Sequence, residues 1–199
     1  MLIPIRGRYR VSEGGYAWSD TRAHSRDTAI AETGISKWQP LLSLTNMPTE
    51  IAGVSLEDVS SVDRFLKQWG LPVIVDEAKP ASMTLADIRK LVRQMREALS
   101  YATAGDDTPL AQHITKHAFI AARPKFEGRA LQGAAPIFVE ARDLASFAWL
   151  QLGQRQSGEY RSCGWCGTYF TVAGAEGHRR SRQFCSDRCR VATNRAKNW

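Results

Sequence analysis

Cys163-Gly-Trp-Cys166-Gly-Thr-Tyr169-Phe170 and, eighteen residues beyond the first pair, Phe184-Cys185-Ser-Asp-Arg-Cys189 contain every cysteine of this 199-residue chain. Two close pairs joined by a short loop can bring four thiolates round one tetrahedral ion, which is the ligand spacing of a structural zinc site. One Cys-x-x-Cys alone reads equally as a redox pair, and the second pair argues for metal. Gly164 and Gly167 relax the backbone at the first pair, and Tyr169-Phe170 reads as a following strand. Ser186 or Asp187 can cap a helix that carries Cys189 in its first turn and continues through Ala192 and Ala196 to Trp199. A knuckle, a hairpin and a ligand-bearing helix make a treble-clef-like finger over residues 159–199. His178 is a competing ligand, but beside four cysteines it reads as a loop residue.

The finger has few apolar residues to bury, chiefly Trp165, Tyr169, Phe170, Val172, Phe184 and Val191. Segments below ~40 residues usually need metal or disulfides to fold. Structural zinc supplies an apparent ~10–16 kcal/mol in small fingers, enough to decide whether this tail folds. A reducing compartment is the default here, and it favours metal over disulfides. Four protein thiolates close the coordination shell, so one structural zinc per chain is expected, with no open catalytic position.

The net charge of +7 is unevenly placed. Residues 161–199 hold seven arginines and one lysine against two acids, a net +6. Four thiolates and a dication would lower that to about +4. A basic patch on a small metal module points to a polyanionic partner, here nucleic acid and above all DNA. Arg179, Arg180 and Arg182 precede the second cysteine pair, while Arg190, Arg195 and Lys197 lie on the helix after it. Both groups can face one phosphate backbone, and Asn194 and Arg195 have side chains that read base edges. The competing account has these charges merely balancing the thiolates. A second function class is a protein-interaction module without nucleic-acid binding, with Trp165 and Trp199 as anchors.

Outward from the finger, the chain reads as mainly α with a small β element. Residues 1–45 are irregular or β: Arg8–Val11 alternates, Gly14-Gly15 marks a turn and Tyr16–Trp18 resumes, which predicts a small hairpin. Thr21–Glu32 reads as a loop or short helix, and Trp38, Leu41, Leu42 and Leu44 cluster around Pro40. Residues 46–158 form a helical domain. A cap-like Ser55 opens a helix through Trp69, stopped by Gly70 and Pro72. Val73–Val75 is a β-branched stretch. Thr84 and Asp87 open a second helix with Leu85, Ile88, Leu91, Val92, Met95 and Leu99 on one face, ended by Gly105. Pro109 is expected to open a third helix through Ala122, and residues 123–135 to connect, with a short strand. Pro136 is expected to open a fourth whose apolar stripe runs from Ile137 to Leu152.

No stretch is long and apolar enough for a membrane span, and the N-terminus lacks the apolar segment of a secretory signal; a cytoplasmic location is expected. His113-Ile-Thr-Lys-His117 has metalloprotease-like spacing, yet Ile114 stands where the catalytic glutamate is needed. With no phosphate loop, nucleophile elbow or dinucleotide fingerprint, the chain reads as a binding protein and not an enzyme. A homodimer and a small ligand of the helical domain are the further partners this reading allows.

Cys163-x-x-Cys166, Tyr169-Phe170, Arg179-Arg180-Ser-Arg182, Phe184-Cys185-Ser186, Cys189 and Asn194-Arg195-Ala196-Lys197 together resemble the CGNR-type zinc finger. That finger closes bacterial proteins of the ABATE class, which are described as stress-induced transcription regulators. Leu44-Thr-Asn46, Leu56 to Trp69 with Gly70-Leu71, and Leu85 to Ala98 look like that class's N-terminal pattern. The resemblance covers residues 41–199 and implies a zinc-binding regulator that contacts DNA through its finger. The Cys-Gly-Asn-Arg tetrapeptide itself is not intact: Arg190-Val-Ala-Thr193 follows Cys189, and Asn194-Arg195 comes one helical turn later.

Overall fold

The structure, a computed structural model, describes residues 5–12, 16–18, 28–31, 36–41, 46–73, 82–118, 120–126, 137–154, 159–172 and 181–197. In chain order these form β1 (Ile5–Ser12), β2 (Tyr16–Trp18), β3 (Thr28–Ala31), β4 (Ser36–Leu41), α1 (Met47–Gly53), α2 (Val59–Trp69), β5 (Ser82–Thr84) and α3 (Leu85–Ala104). They continue as α4 (Asp107–His117), β6 (Ala122–Phe126), β7 (Ile137–Ala141), α5 (Leu144–Gln154), β8 (Tyr160–Ser162), β9 (Tyr169–Thr171) and α6 (Asp187–Lys197). The fold is mainly helical with small sheets, and the cysteines gather at its C-terminal end.

The longest helix, α3, follows its sequence signals. Thr84 Oγ1 accepts the Asp87 amide at 3.0 Å at the start, and Gly105 closes the helix in the left-handed region at φ 80°. Its buried face is Leu85, Ile88, Leu91, Val92, Met95, Ala98, Leu99 and Ala102. α5 packs into the same core. From Leu144 to Leu152 all its residues but the half-buried Leu150 are buried, as expected of a helix that is apolar nearly all round.

α1 is short and is held at both ends by distant side chains. Asn46 makes no capping bond, and the buried Gln151 of α5 accepts the Met47 amide at 3.0 Å instead. At the other end Arg96 of α3 donates to the carbonyls of Ala52 (2.8 Å) and Val54 (2.9 Å). A cation there satisfies orphan carbonyls and opposes the negative end of the helix dipole.

Four expectations are corrected. The helix foreseen from Ile137 begins only at Leu144, where Asp143 Oδ1 accepts the Ser146 amide at 2.7 Å. Residues 137–141 are instead β7, paired parallel with β1 and antiparallel with β6. Their β-branched and aromatic side chains suit a strand, and the apolar run imitates a helical stripe. α4 ends at His117, short of Ala122, and residues 122–126 pair with β7 instead. The helix expected from Ser55 starts at Val59: Asp58 is its cap, and Ser55 Oγ accepts the Glu57 and Asp58 amides in the turn before it. The β1–β2 hairpin does not form. β1 pairs with β4 over six residues, a longer ladder than three-residue β2 offers, while β2 pairs with β3.

The larger sheet runs β4-β1-β7-β6, so it joins residues 5–12 and 36–41 to residues 122–126 and 137–141; a second runs β2-β3-β5. The Val73–Val75 stretch lies outside the described residues except for Val73, as does most of Thr21–Glu32.

Candidate metal centre

Six residues lie between β8 and β9, and they turn tightly because the hairpin register leaves Ser162 opposite Tyr169. The Cys163 amide donates to Thr168 O and the Gly167 amide to Cys163 O, both at 2.9 Å. Gly167 sits at φ 71°, a conformation costly for a residue with a Cβ. This turn presents Cys163, which is buried, and Cys166, which is exposed. The second pair comes from the start of α6: Ser186 Oγ accepts the Cys189 amide at 3.3 Å, so Ser186 is the cap, and Cys189 stands in the first turn. The Gly164 amide donates to Gln183 O at 3.1 Å and joins the two halves.

The four sulfurs lie within 4.8 Å of one another. Cys166 and Cys185 are 3.6 Å apart, Cys185 and Cys189 3.6 Å, and Cys189 and Cys166 3.7 Å. These separations are far too long for a disulfide at about 2.05 Å. A tetrahedral ion with ~2.3 Å bonds to sulfur would hold its ligands about 3.8 Å apart, which the observed spacing nearly matches. The cluster could therefore hold one metal ion.

The thiols are unequal. Burial raises the Cys163 pKa, but amides from Cys166, Cys185 and Trp165 outweigh it and bring the thiol down to about 6. The Thr168 hydroxyl, 3.3 Å from the sulfur, does most to lower Cys166. Burial and then the crowding of the other three sulfurs push Cys185 up to about 12. Such a set ionises in part and resists the last charges, and a bound dication relieves that resistance.

Arg182 belongs to this centre. Its Nε donates to Phe184 O at 2.7 Å and its Nη2 to Cys185 O at 2.6 Å, with the guanidinium 5.7 Å from the Phe170 ring centre. The side chain assigned to phosphate contact thus clamps the backbone that carries a ligand. Arg190, Asn194 and Lys197 recur at i, i+4 and i+7 on one exposed stripe of α6, and Arg190 is 3.2 Å from Asp187. Arg195 lies about 100° round the helix from Asn194, so the two do not form one reading face. Arg179, Arg180, His178 and Trp199 lie outside the described residues.

Trp165 and Val191 were expected inside the finger, yet they are 50% and 42% exposed. For Trp165 the reason is size: a six-residue turn that holds two ligands has no interior to receive an indole. With Asp187, Arg188, Ala192, Arg195 and Ala196 they line an open groove of about 610 Å³. The other half of the finger looks inward. Tyr160 is 1% exposed and belongs to the main core, with β8 against α3 and β9 against α1. Where β9 meets the helices, Glu50, Arg64, Trp69, Thr168 and Tyr169 border a cleft of about 290 Å³.

His113 and His117 lie in the α3–α4 packing. His113 Nε2 is 2.9 Å from the Gln94 carbonyl, and the Gln94 side-chain amide donates to His117 Nδ1 at 3.0 Å. Their rings stand 4.5 Å apart. No helix among the described residues is long and apolar enough to cross a membrane.

In comparisons with known proteins, no family model matches the chain, and no curated protein is detectably related to it.

Proposed function

We propose that the C-terminal module is a treble-clef-type finger folded round one structural zinc. On this reading the protein binds nucleic acid, above all DNA, as a transcription regulator in the cytoplasm, without catalysing a reaction. The observation that carries the proposal is the convergence of Cys163, Cys166, Cys185 and Cys189 on one point within the most basic segment of the chain. Four sulfur donors suit zinc among the common ions, and a closed shell suits structure over catalysis. The exposed stripe of Arg190, Asn194 and Lys197 is the surface for phosphate contact. The finger is docked on the helical part through Tyr160, so a small ligand in the cleft beside Glu50, Arg64 and Tyr169 would touch both parts. That arrangement suits a sensor, and the motif likeness to the ABATE class is in keeping with it.

The test is binding of the zinc-loaded full chain to DNA over a range of salt. Each phosphate contact should contribute a slope of ~0.9 log unit in affinity per log unit of salt. Three stripe residues predict that changing Arg190 or Lys197 to Gln removes about one contact each. Absence of binding at low salt, or a flat salt dependence, refutes the proposal.

A further inference from the structure

A groove runs beside the cysteine cluster, between the first cysteine pair and α6. Trp165 is fixed between two cysteines of the knuckle and still leaves half its surface in water. Its wall across the groove is a single helical stripe: Arg188, Val191, Ala192, Arg195 and Ala196 follow i, i+3, i+4, i+7 and i+8. The floor is apolar and the two arginines flank it. Asp187 also lines the groove, and its carboxylate is paired with Arg190 at 3.2 Å. Exposed apolar surface rimmed by charge marks a binding site more often than chance placement.

The occupant must be flat and apolar on one face and negatively charged beside it. A base unstacked from its strand meets both requirements: it offers a π face to an indole, and its own phosphates lie to either side. A paired, stacked base in a duplex offers no such face. A peptide could cover the apolar floor, but charge favours a polyanion: residues 181–197 hold Arg182, Arg188, Arg190, Arg195 and Lys197 against Asp187 as the only acid, and four thiolates round a dication would take back about two of these charges and leave the module basic.

We infer that this groove takes an unstacked base of a single-stranded nucleic-acid segment. Trp165 stacks on the base, Val191 and Ala192 back it, and Arg188 and Arg195 hold the neighbouring phosphates. The inference rests on the nucleic-acid reading above and narrows it to single strands or unpaired sites.

The test titrates the zinc-loaded full chain with a deoxythymidine oligomer and with a duplex of equal length, at one salt concentration and then over a salt series. Zinc content is measured for every variant. Trp165→Ala should weaken the oligomer about tenfold to a hundredfold, with the salt slope unchanged because no charge is lost. Trp165→Phe should lose less than tenfold. Val191→Lys adds a positive charge but breaks the apolar floor, so oligomer affinity should fall while duplex affinity rises. If Trp165→Ala lost its zinc, Val191→Lys would still decide. Unchanged oligomer affinity in Trp165→Ala, or a rise with both nucleic acids in Val191→Lys, overturns the stacking inference and leaves nucleic-acid binding standing. Failure of the native chain to bind either probe at low salt defeats the nucleic-acid reading, and this inference with it. Self-association abolished by Trp165→Ala, without oligomer binding, would give the groove to a second copy.

Discussion

Arg182→Met separates a structural arginine from a phosphate-binding one. The methionine keeps much of the aliphatic volume but removes two charge-assisted hydrogen bonds, at 2.7 Å to Phe184 O and 2.6 Å to Cys185 O. Hydrogen bonds to charged groups contribute ~1.5–3 kcal/mol each. The side chain is half-buried, so water restores part of the loss, and the contact with Phe170 adds a fraction of a kcal/mol at most. A net cost of about 2–3 kcal/mol to the metal-bound module follows. At 1.4 kcal/mol per decade this is zinc binding weakened about 30- to 150-fold, in line with the ~10–100-fold cost of removing an outer-shell partner. Competition against a chromophoric chelator reads this directly, and the rate of thiol modification supplies a second signal. Arg182→Lys should recover little, because one ammonium cannot match the fork that meets two carbonyls. Unchanged zinc affinity, together with a nucleic-acid salt slope lowered by about one contact, would refute the argument and return Arg182 to the phosphate surface.

Arg96→Met should cost about 2 kcal/mol by freeing the carbonyls of Ala52 and Val54, seen as a lower urea midpoint with an unchanged slope; a shift below a few tenths would dismiss the clamp. Tyr160→Ala should cost ~3–5 kcal/mol and lower the melting temperature of the whole chain, since Tyr160 lies in the main core. A loss confined to the finger would contradict that docking. His117 has its pKa lowered from 6.5, first by burial and then by the nearby charges of His113 and Lys116. The unfolded chain therefore takes up this proton first, and the contribution of His117 is complete above pH 6.5 and lost as the pH falls through its lowered native value. Urea midpoints at pH 7.5 and 5.5 should fall less in His117→Gln than in the native chain; equal falls would refute the assignment.

The parts legible in the sequence are those whose partners are close along the chain. Thr84, Asp87 and Gly105 delimit α3 through contacts within a few residues, and each cysteine pair is a local unit with Gly167 or Ser186 beside it. What the sequence concealed depends on distant partners. Ile137–Ala141 is a strand because β1, over a hundred residues away, and β6 supply its ladders. α1 escaped notice because its amide and carbonyl partners are Gln151 and Arg96, which lie on other helices. Arg182 could not be told from its neighbouring arginines until Phe184 and Cys185 turned their carbonyls toward it. The exposure of Trp165 had a signal: an indole wedged between two ligands of a tight knuckle has nowhere to bury. Tyr160 also ties the finger to the main core, so residues 159–199 alone would lose that anchor.

On the proposed reading four thiolates share one zinc, and the zinc holds the finger together. Native mass spectrometry of the full chain, before and after Cys185→Ser, measures this most directly. One zinc is expected per native chain and none or a weakly held ion in the variant, with loss of amide protection over residues 160–172 and 181–197 while α3 and α5 stay protected. A metal-free chain whose finger residues remain protected would contradict it.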